Sequence, residues 1–143
     1  MTSRADKFTV QQKKIEYFSD FLLNLDKNPL TGNLARVTNE DSIKQSLKTL
    51  LLTERTERFF QPWIGSKLNG LLFELHTPLT DISIEQEIKT TIENCEPRVT
   101  IEQIFINSGQ QSDNNTIDVT INFSINNIPN QIFDLSLVIN RVR

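Results

Sequence analysis

Three glutamates, one histidine and one cysteine are the side chains with the chemistry for catalysis. Glycoside hydrolysis uses two carboxyl groups held roughly 5–10 Å apart, one of them protonated. Glu57, Glu74 and Glu96 are the candidate carboxylates, and His76 and Cys95 are the single residues of their kinds. These residues define one hypothesis, a peptidoglycan hydrolase that uses Glu96 or Glu57.

Glu57, Glu96 and Cys95 also have structural explanations. Glu57 and Glu96 lie close to Arg58 and Arg98 in sequence, and a salt bridge keeps a carboxylate ionised, which is the wrong state for a general acid. Cys95 is predicted to be a small buried residue of a helix. With His76 alone and four glycines in the chain, the sequence offers no metal-ligand cluster and no phosphate-binding loop. We therefore predict no catalytic, cofactor-binding or metal site.

The tripeptide Glu96-Pro97-Arg98 favours a different role. Proline fixes the backbone, so the acid and the base project from a stiff corner. The planar arginine fork suits recognition of a carboxylate and is frequent at protein interfaces. We interpret Glu96, Pro97 and Arg98 as a candidate protein-interaction site.

Two amphipathic helices and a short one are predicted before this corner. The first spans about Asp41 to Thr53, with Thr38 or Asp41 as its cap. A short second helix carries leucines 68, 71, 72 and 75. The third spans about Ser83 to Asn94, with Ser83 and Gln86 as a capping box and Pro97 ending it.

After Arg98 the apolar period changes to two, which predicts strands. In the first strand Val99, Ile101, Gln103 and Phe105 are predicted to face one way, and Ile104 and Ile106 the other. The second strand has one apolar face, residues Ile117, Val119, Ile121, Phe123 and Ile125, and the third has Phe133, Leu135, Leu137 and Ile139. Residues 108–115 are predicted to form a polar hairpin-type loop. Helices followed by an antiparallel meander define the α+β class.

Length and composition predict one domain with an appended arm. The chain has 143 residues with nine Phe, enough to build a single core. Residues 1–16 are polar and are predicted to be a flexible or partner-ordered arm, whereas residues 17–143 form the domain, which the apolar side chains of residues 17–25 enter. The formal net charge is −3 and the basic residues are scattered, so nucleic acid and membrane surfaces are poor partners. One cysteine and no apolar signal block predict a protein made in the cytoplasm.

Several segments taken together resemble the gene-25-like family of contractile-tail baseplate wedge proteins, which includes the corresponding subunit of type VI secretion systems. The resemblance runs from about Phe21 to Arg143 and is carried by NPLTGNLARVTNEDSIKQSLKTLLLT, TERFFQPWIGSKLNGLLFELHTPLT, IENCEPRVTIEQIFI, IDVTINFSINNIP and LVINRVR. The family often has Gly-Glu-Arg-Pro-Phe where this chain has residues 56–60, TERFF. Its Glu-Pro-Arg signature matches residues 96–98 without change.

The resemblance implies a structural protein of the virion tail baseplate, assembled in the host cytoplasm, and not an enzyme. It implies that Glu96, Pro97 and Arg98 dock to other wedge subunits. It also implies a sheet similar to that of sheath proteins, which offers the first sheath ring a template for β-strand addition. Several copies in a ring, six by the family pattern, are expected. A phage tail, a secretion system and a related particle all remain open.

Overall fold

The structure, a computed structural model, describes residues 15–72, 77–108 and 116–140. Outside these ranges lie Glu74, Leu75 and His76, residues 109–115 of the predicted loop, and residues 1–14 of the predicted arm. The elements in chain order are β1 (Ser19–Phe21), β2 (Arg36–Thr38), α1 (Glu40–Leu52), α2 (Leu68–Leu72), α3 (Pro78–Cys95), β3 (Val99–Ser108), β4 (Thr116–Ile125) and β5 (Ile128–Asn140). Helices precede a run of antiparallel strands, so the predicted α+β class is confirmed.

The strands form two sheets. β1 and β2 make a small antiparallel pair, and β3, β4 and β5 form an antiparallel meander in which β4 is central. β4 pairs with β5 from Thr116↔Asn140 to Ser124↔Ile132, and a two-residue turn, Asn126-Asn127, joins them. The predicted meander is therefore confirmed.

One hydrophobic core lies between the helices and the meander. Alternate residues of β4 and β5 face it, because successive strand side chains point to opposite sides. Ile84, Ile88 and Ile92 of α3 form the predicted line at four-residue spacing and are buried. The buried core residues are Ile43, Leu47, Leu51, Leu68, Leu72, Ile84, Ile88, Ile92, Val99, Val119, Ile121, Phe123, Ile125, Leu135, Leu137 and Ile139.

The helix starts differ from the predicted caps. α1 is capped at Asn39, whose side chain makes no capping bond, and Asp41 lies in the first turn. Asn39 adopts φ 52° and ψ −116°, a positive-φ conformation outside the left-handed helical region. Its buried amide instead accepts hydrogen bonds from the Tyr17 and Phe18 amides and donates to the Ile15 carbonyl, which holds the chain before β1.

α3 begins at Pro78, well before Ser83, so the predicted capping box is wrong. The Thr77 hydroxyl accepts a hydrogen bond from the Thr80 amide, and Pro78 occupies the first turn, where its missing N–H costs nothing. Ser83 lies inside the helix and donates to the Leu79 carbonyl. The helix ends at Cys95, one residue beyond the predicted end at about Asn94 and before Pro97.

A β-bulge changes the face of β3. Glu102 and Gln103 together lie opposite Asn122, and the register then continues with Ile104 opposite Ile121. Ile104 and Ile106 therefore pack against the core on the same side as Ile101, whereas Phe105 is exposed. The predicted division of β3 into faces is wrong because the bulge inserts one residue into the alternation.

The apolar residues between positions 17 and 25 do not enter the core as predicted. Only Phe18 packs against it, and most of the others are exposed: Tyr17, Phe21, Leu23 and Leu25. Bonds between backbone groups of residues 22–28 and 33–35 fold this segment back on itself, so its side chains stay on the outside.

Candidate functional site

The Glu96-Pro97-Arg98 corner joins α3 to the meander. The Glu96 amide closes the last turn of α3 with the Ile92 carbonyl at 2.8 Å, and Pro97 cannot continue the helix. The Val99 amide then bonds back to the Glu96 carbonyl at 3.3 Å as β3 begins. The backbone thereby holds the side chains of Glu96 and Arg98 on the same side of the corner.

Glu96 and Arg98 form a two-pronged ion pair. Arg98 Nε lies 2.6 Å from Glu96 Oε1, and Nη2 lies 2.6 Å from Oε2. Glu96 is 5% exposed, whereas 37% of the Arg98 side chain is exposed. The Ser46 hydroxyl of α1 donates to Glu96 Oε2 at 2.9 Å. The carboxylate is thus enclosed, and part of the guanidinium faces solvent.

The environment keeps both charges ionised. Burial acts to raise the pKa of Glu96, but hydrogen bonds from Arg98 and Ser46 and the charge of Arg98 outweigh it and lower that pKa below its ordinary value of 4.5. The bond to Glu96 raises the pKa of Arg98. A carboxyl group with a lowered pKa is a poor general acid near neutral pH.

The corner also fastens three other parts of the molecule. Ser46 belongs to α1, and the Arg98 guanidinium carbon lies 5.2 Å from the centre of the Phe18 ring, a cation–π contact. In the β4–β5 turn, the backbone N–H of Asn126 donates to the Arg98 carbonyl at 3.0 Å. The Asn126 side-chain Nδ2 donates to the Pro97 carbonyl at 2.9 Å. The motif is therefore a junction between the helices, the meander and the segment before β1.

A groove of about 450 Å³ lies next to this junction. Residues 20–23 and 25 form one wall, α1 contributes residues 45, 46, 49 and 50, and the loop after α1 contributes Arg58 and Ile64, with Cys95 and Glu96 at the corner. The Gln45 side chain holds the first wall in place, since its amide nitrogen donates to the Phe21 carbonyl at 2.8 Å and its oxygen accepts from the Leu23 amide at 3.1 Å. Cys95 is half-buried, so the prediction of a buried cysteine is wrong.

The loop between α1 and α2 closes on itself and exposes aromatic side chains. The Ser66 amide donates to the Thr53 carbonyl at 2.9 Å, and the Ser66 hydroxyl donates to the Leu51 carbonyl at 2.7 Å. Thr56 has φ 76°, so it adopts the conformation that glycine favours at the position where the family often has Gly. Phe59 and Phe60 at the tip are each 95% exposed.

Of the remaining catalytic candidates the structure describes Glu57 and Cys95, and no hydrogen bond or ion pair joins either side chain to Glu96. Glu57 is exposed, and its Oε2 accepts a hydrogen bond from the Glu54 amide at 3.0 Å. The predicted salt bridge from Glu57 to Arg58 does not form. Within the described ranges no group of histidine, cysteine and acidic residues is arranged to hold a metal ion. No helix among the same residues is long and apolar enough to cross a bilayer.

Sequence reasoning identified the corner but not its partners. Ser46, Phe18 and Asn126 lie far from residues 96–98 in sequence, and none belongs to a recognisable motif with them. The only usable signal was the polar Ser46, which falls among the apolar positions of α1.

Two solved structures have a similar fold. One chain of the anti-feeding prophage baseplate has a TM-score of 0.69 at 23% identity, covering 79% of this chain and 89% of that one. A Geobacter sulfurreducens protein named as a candidate tail lysozyme has a TM-score of 0.66 at 22% identity, covering 73% of this chain and 92% of that one. At these identities the likeness concerns the fold.

Sequence comparison identifies the family. The model of the family described as baseplate wedge protein gp25 matches residues 37–130, which include the corner but not the groove wall at residues 20–23 and 25. The baseplate wedge protein gp25 of Enterobacteria phage T4 is 36% identical over 96 residues, covering 67% of this chain and 71% of the T4 protein. The chain therefore belongs to the baseplate wedge protein gp25 family, and it is a baseplate wedge protein of a contractile tail.

Proposed function

We propose that this wedge protein is a structural, non-enzymatic subunit that docks to other wedge subunits at the Glu96-Pro97-Arg98 corner and templates the first sheath ring by β-strand addition. The proposal rests mainly on the meander, in which β5 is an edge strand, together with membership of this family. We further propose that residues 17–143 act as one domain, that residues 1–16 are an arm, and that several copies sit in the ring of a virion baseplate assembled in the host cytoplasm.

The geometry of the corner supports docking. The buried Glu96 carboxylate holds the Arg98 side chain in place. Arg98 therefore loses little side-chain freedom when its exposed part binds a partner. Among the described contacts, Glu96 occupies Nε and Nη2, and Nη1 remains for an acceptor on a partner. A partner would therefore meet a fixed cationic donor rather than a mobile side chain.

The strand that accepts the sheath is β5 in this proposal. Within the described ranges, neither β3 nor β5 pairs with a further strand. β3 carries a bulge, a feature that discourages pairing at an edge. From Ile132 to Asn140, β5 has regular register and a single charged residue, Asp134. Its unpaired backbone groups can bond to an incoming strand, whose alternate side chains would extend the core face.

A peptidoglycan hydrolase is the alternative, and the site gives it less support. Glu96 stays ionised in its pair with Arg98, and Glu57 bonds to a backbone amide at the surface. If purified protein cleaved cell wall in a zymogram and a Glu96→Gln variant did not, the non-enzymatic proposal would fail.

Docking is tested with baseplates that carry Arg98→Ala, imaged by electron microscopy. Because Arg98 also satisfies buried Glu96, the variant can lose stability, and a Glu96→Gln/Arg98→Met double variant separates the two effects by removing the buried charge as well. We expect both to fold by circular dichroism and both to fail in baseplate assembly. Normal tails from the folded double variant would contradict docking by this pair.

Strand addition is tested by placing a photo-crosslinking residue at Ser136 on β5 or at Thr100 on β3, both exposed. In particles with a first sheath ring, position 136 is expected to yield an adduct with the sheath protein and position 100 to yield none. The reverse pattern would assign the edge to β3, and no adduct at either position would contradict strand addition.

A further inference from the structure

The groove beside the corner has walls that folding does not explain. Phe21, Leu23 and Leu25 line it and are each more than half exposed, although a monomer gains nothing by leaving such side chains in water. Gln45 bonds to the backbone on this wall and fixes it over α1. The wall is therefore a preformed apolar surface rather than a loose end.

The charges around the groove indicate the chemistry of an occupant. Three charged residues line it: Asp20, Arg58 and Glu96. Glu96 is neutralised by Arg98, and the charge of Asp20 also acts on Arg98. Arg58 forms no ion pair with a described carboxylate. Arg58 is thus the charged lining residue with no described carboxylate bonded to it, and it can face an acidic group of an occupant.

We propose that the groove binds an apolar segment of another baseplate wedge subunit, with an acidic side chain of that segment facing Arg58. This inference rests on the proposed docking function and names the chemistry of the partner. A groove of about 450 Å³ has room for a few side chains, so the occupant is a short stretch of chain. The groove is continuous with the docking corner, because Glu96 belongs to both.

Arg98 acts in this proposal as a positioning residue for the groove as well as a docking residue. Its contact with Phe18 fixes the chain immediately before Asp20, where the apolar wall starts. A Phe18→Ala variant should therefore weaken binding at the groove while the ion pair between Glu96 and Arg98 stays intact.

The first test places a photo-crosslinking residue at Leu23 in assembled baseplates, with Leu79 on the exposed side of α3 as the control position. We expect position 23 to be linked to another wedge subunit, in a segment with apolar residues and at least one Asp or Glu, and position 79 not to be linked there. An adduct with a second copy of this chain, with its own residues 1–16 or with the sheath protein would overturn the proposal. The absence of any adduct would also overturn the proposal if the baseplates contain the protein and start sheaths normally. That outcome would leave the proposed function intact.

The second test is a charge reversal measured on the linked wedge subunit. Arg58→Glu should weaken binding several-fold, and exchanging the opposing acid for Arg should restore it. Leu23→Ser should weaken binding roughly tenfold or more, whereas Leu79→Ser should leave it unchanged. Undiminished binding by Arg58→Glu and Leu23→Ser would overturn the proposal. If wild-type protein were absent from baseplates, the docking function itself would fail, and this inference with it.

Discussion

The meander and the groove walls are both rich in apolar side chains, but they place them in opposite environments. Val119, Ile121 and Phe123 of β4 are almost fully buried, whereas Phe21 and Leu23 on the groove are more than half exposed. Burial of the first set accounts for the fold, since each side chain removed from water contributes roughly 1.5–3 kcal/mol. Exposure of the second set is not needed for folding, which points to a surface kept for a partner.

Truncating the meander should have the largest effect on stability. Phe123 is fully buried on the core face of β4 and lies next to the Phe133 ring, with 5.9 Å between ring centres. Phe123→Ala should lower the free energy of unfolding by about 3–5 kcal/mol, measured by urea denaturation. A loss below about 1 kcal/mol would show that the meander is not the stabilising core.

Breaking the corner should come next. Arg98→Ala leaves the Glu96 carboxylate enclosed with the Ser46 hydroxyl and the backbone amide of residue 98 as its hydrogen-bond donors. Because Arg98 is partly exposed, we expect a loss of about 1–3 kcal/mol rather than that of a fully buried pair. Arg98→Lys, which keeps the charge and loses the fork, should lose less than Arg98→Ala, and wild-type stability in Arg98→Lys would contradict the importance of the two-pronged geometry.

Disturbing the loop beside the groove should have a smaller effect. Gly65 has φ 127°, and a Cβ there would lie 2.7 Å from the Thr53 carbonyl oxygen. Gly65→Ala should therefore destabilise the protein by roughly 1–2 kcal/mol in thermal or urea unfolding. Gly70 is the matched control, since a Cβ there meets nothing within 4 Å and Gly70→Ala in α2 should be neutral or stabilising.

Acid should weaken the corner selectively. The pKa of Glu96 is lowered in the folded state, so its contribution to stability is present above the unfolded value of 4.5 and is lost as pH falls through the folded pKa. Unfolding free energy measured between pH 7 and pH 3 should decline below about pH 4.5. Glu96→Gln should flatten that part of the profile, and an unchanged slope would assign the acid sensitivity to other carboxyl groups.

The smallest stability effect is expected at the exposed loop tip, whose aromatic residues contrast most strongly with the buried residues of the meander. Phe60 is 95% exposed, so Phe60→Ser should change the unfolding free energy by no more than about 0.5 kcal/mol. A loss comparable with that of Phe123→Ala would show that the exposed aromatic residues do support the fold.

The periodic parts of the fold could be predicted from sequence, and the irregular parts could not. Ile84, Ile88 and Ile92, and the alternation along β4, follow from helix and strand periods. The start of α3 was missed because Thr77 and Pro78 lie ahead of the apolar line that defined the helix. The residues around position 21 were predicted to be in the core because an apolar side chain looks the same in sequence whether protein or water covers it.

The candidate site was predicted as a motif but not as a structure. Glu96-Pro97-Arg98 is visible because its residues are consecutive, whereas Ser46 and Phe18 meet it only through tertiary packing. Its role at an interface stays a prediction. The groove has no sequence signature, since its lining comes from the segment before α1, from α1, and from the loop that follows.

The bulge in β3 has a consequence for variation in chain length. Glu102 and Gln103 share one partner, Asn122, so β3 holds one residue more than its neighbour needs. A chain lacking Gln103 would keep Val99, Ile101, Ile104 and Ile106 on the core face in unbroken alternation, with a straighter strand. The loss of Glu102 instead would have the same effect, whereas a deletion elsewhere between Val99 and Ile106 would turn part of the strand inside out. The bulge is thus the place in β3 where evolution or engineering can shorten the strand without repacking the core.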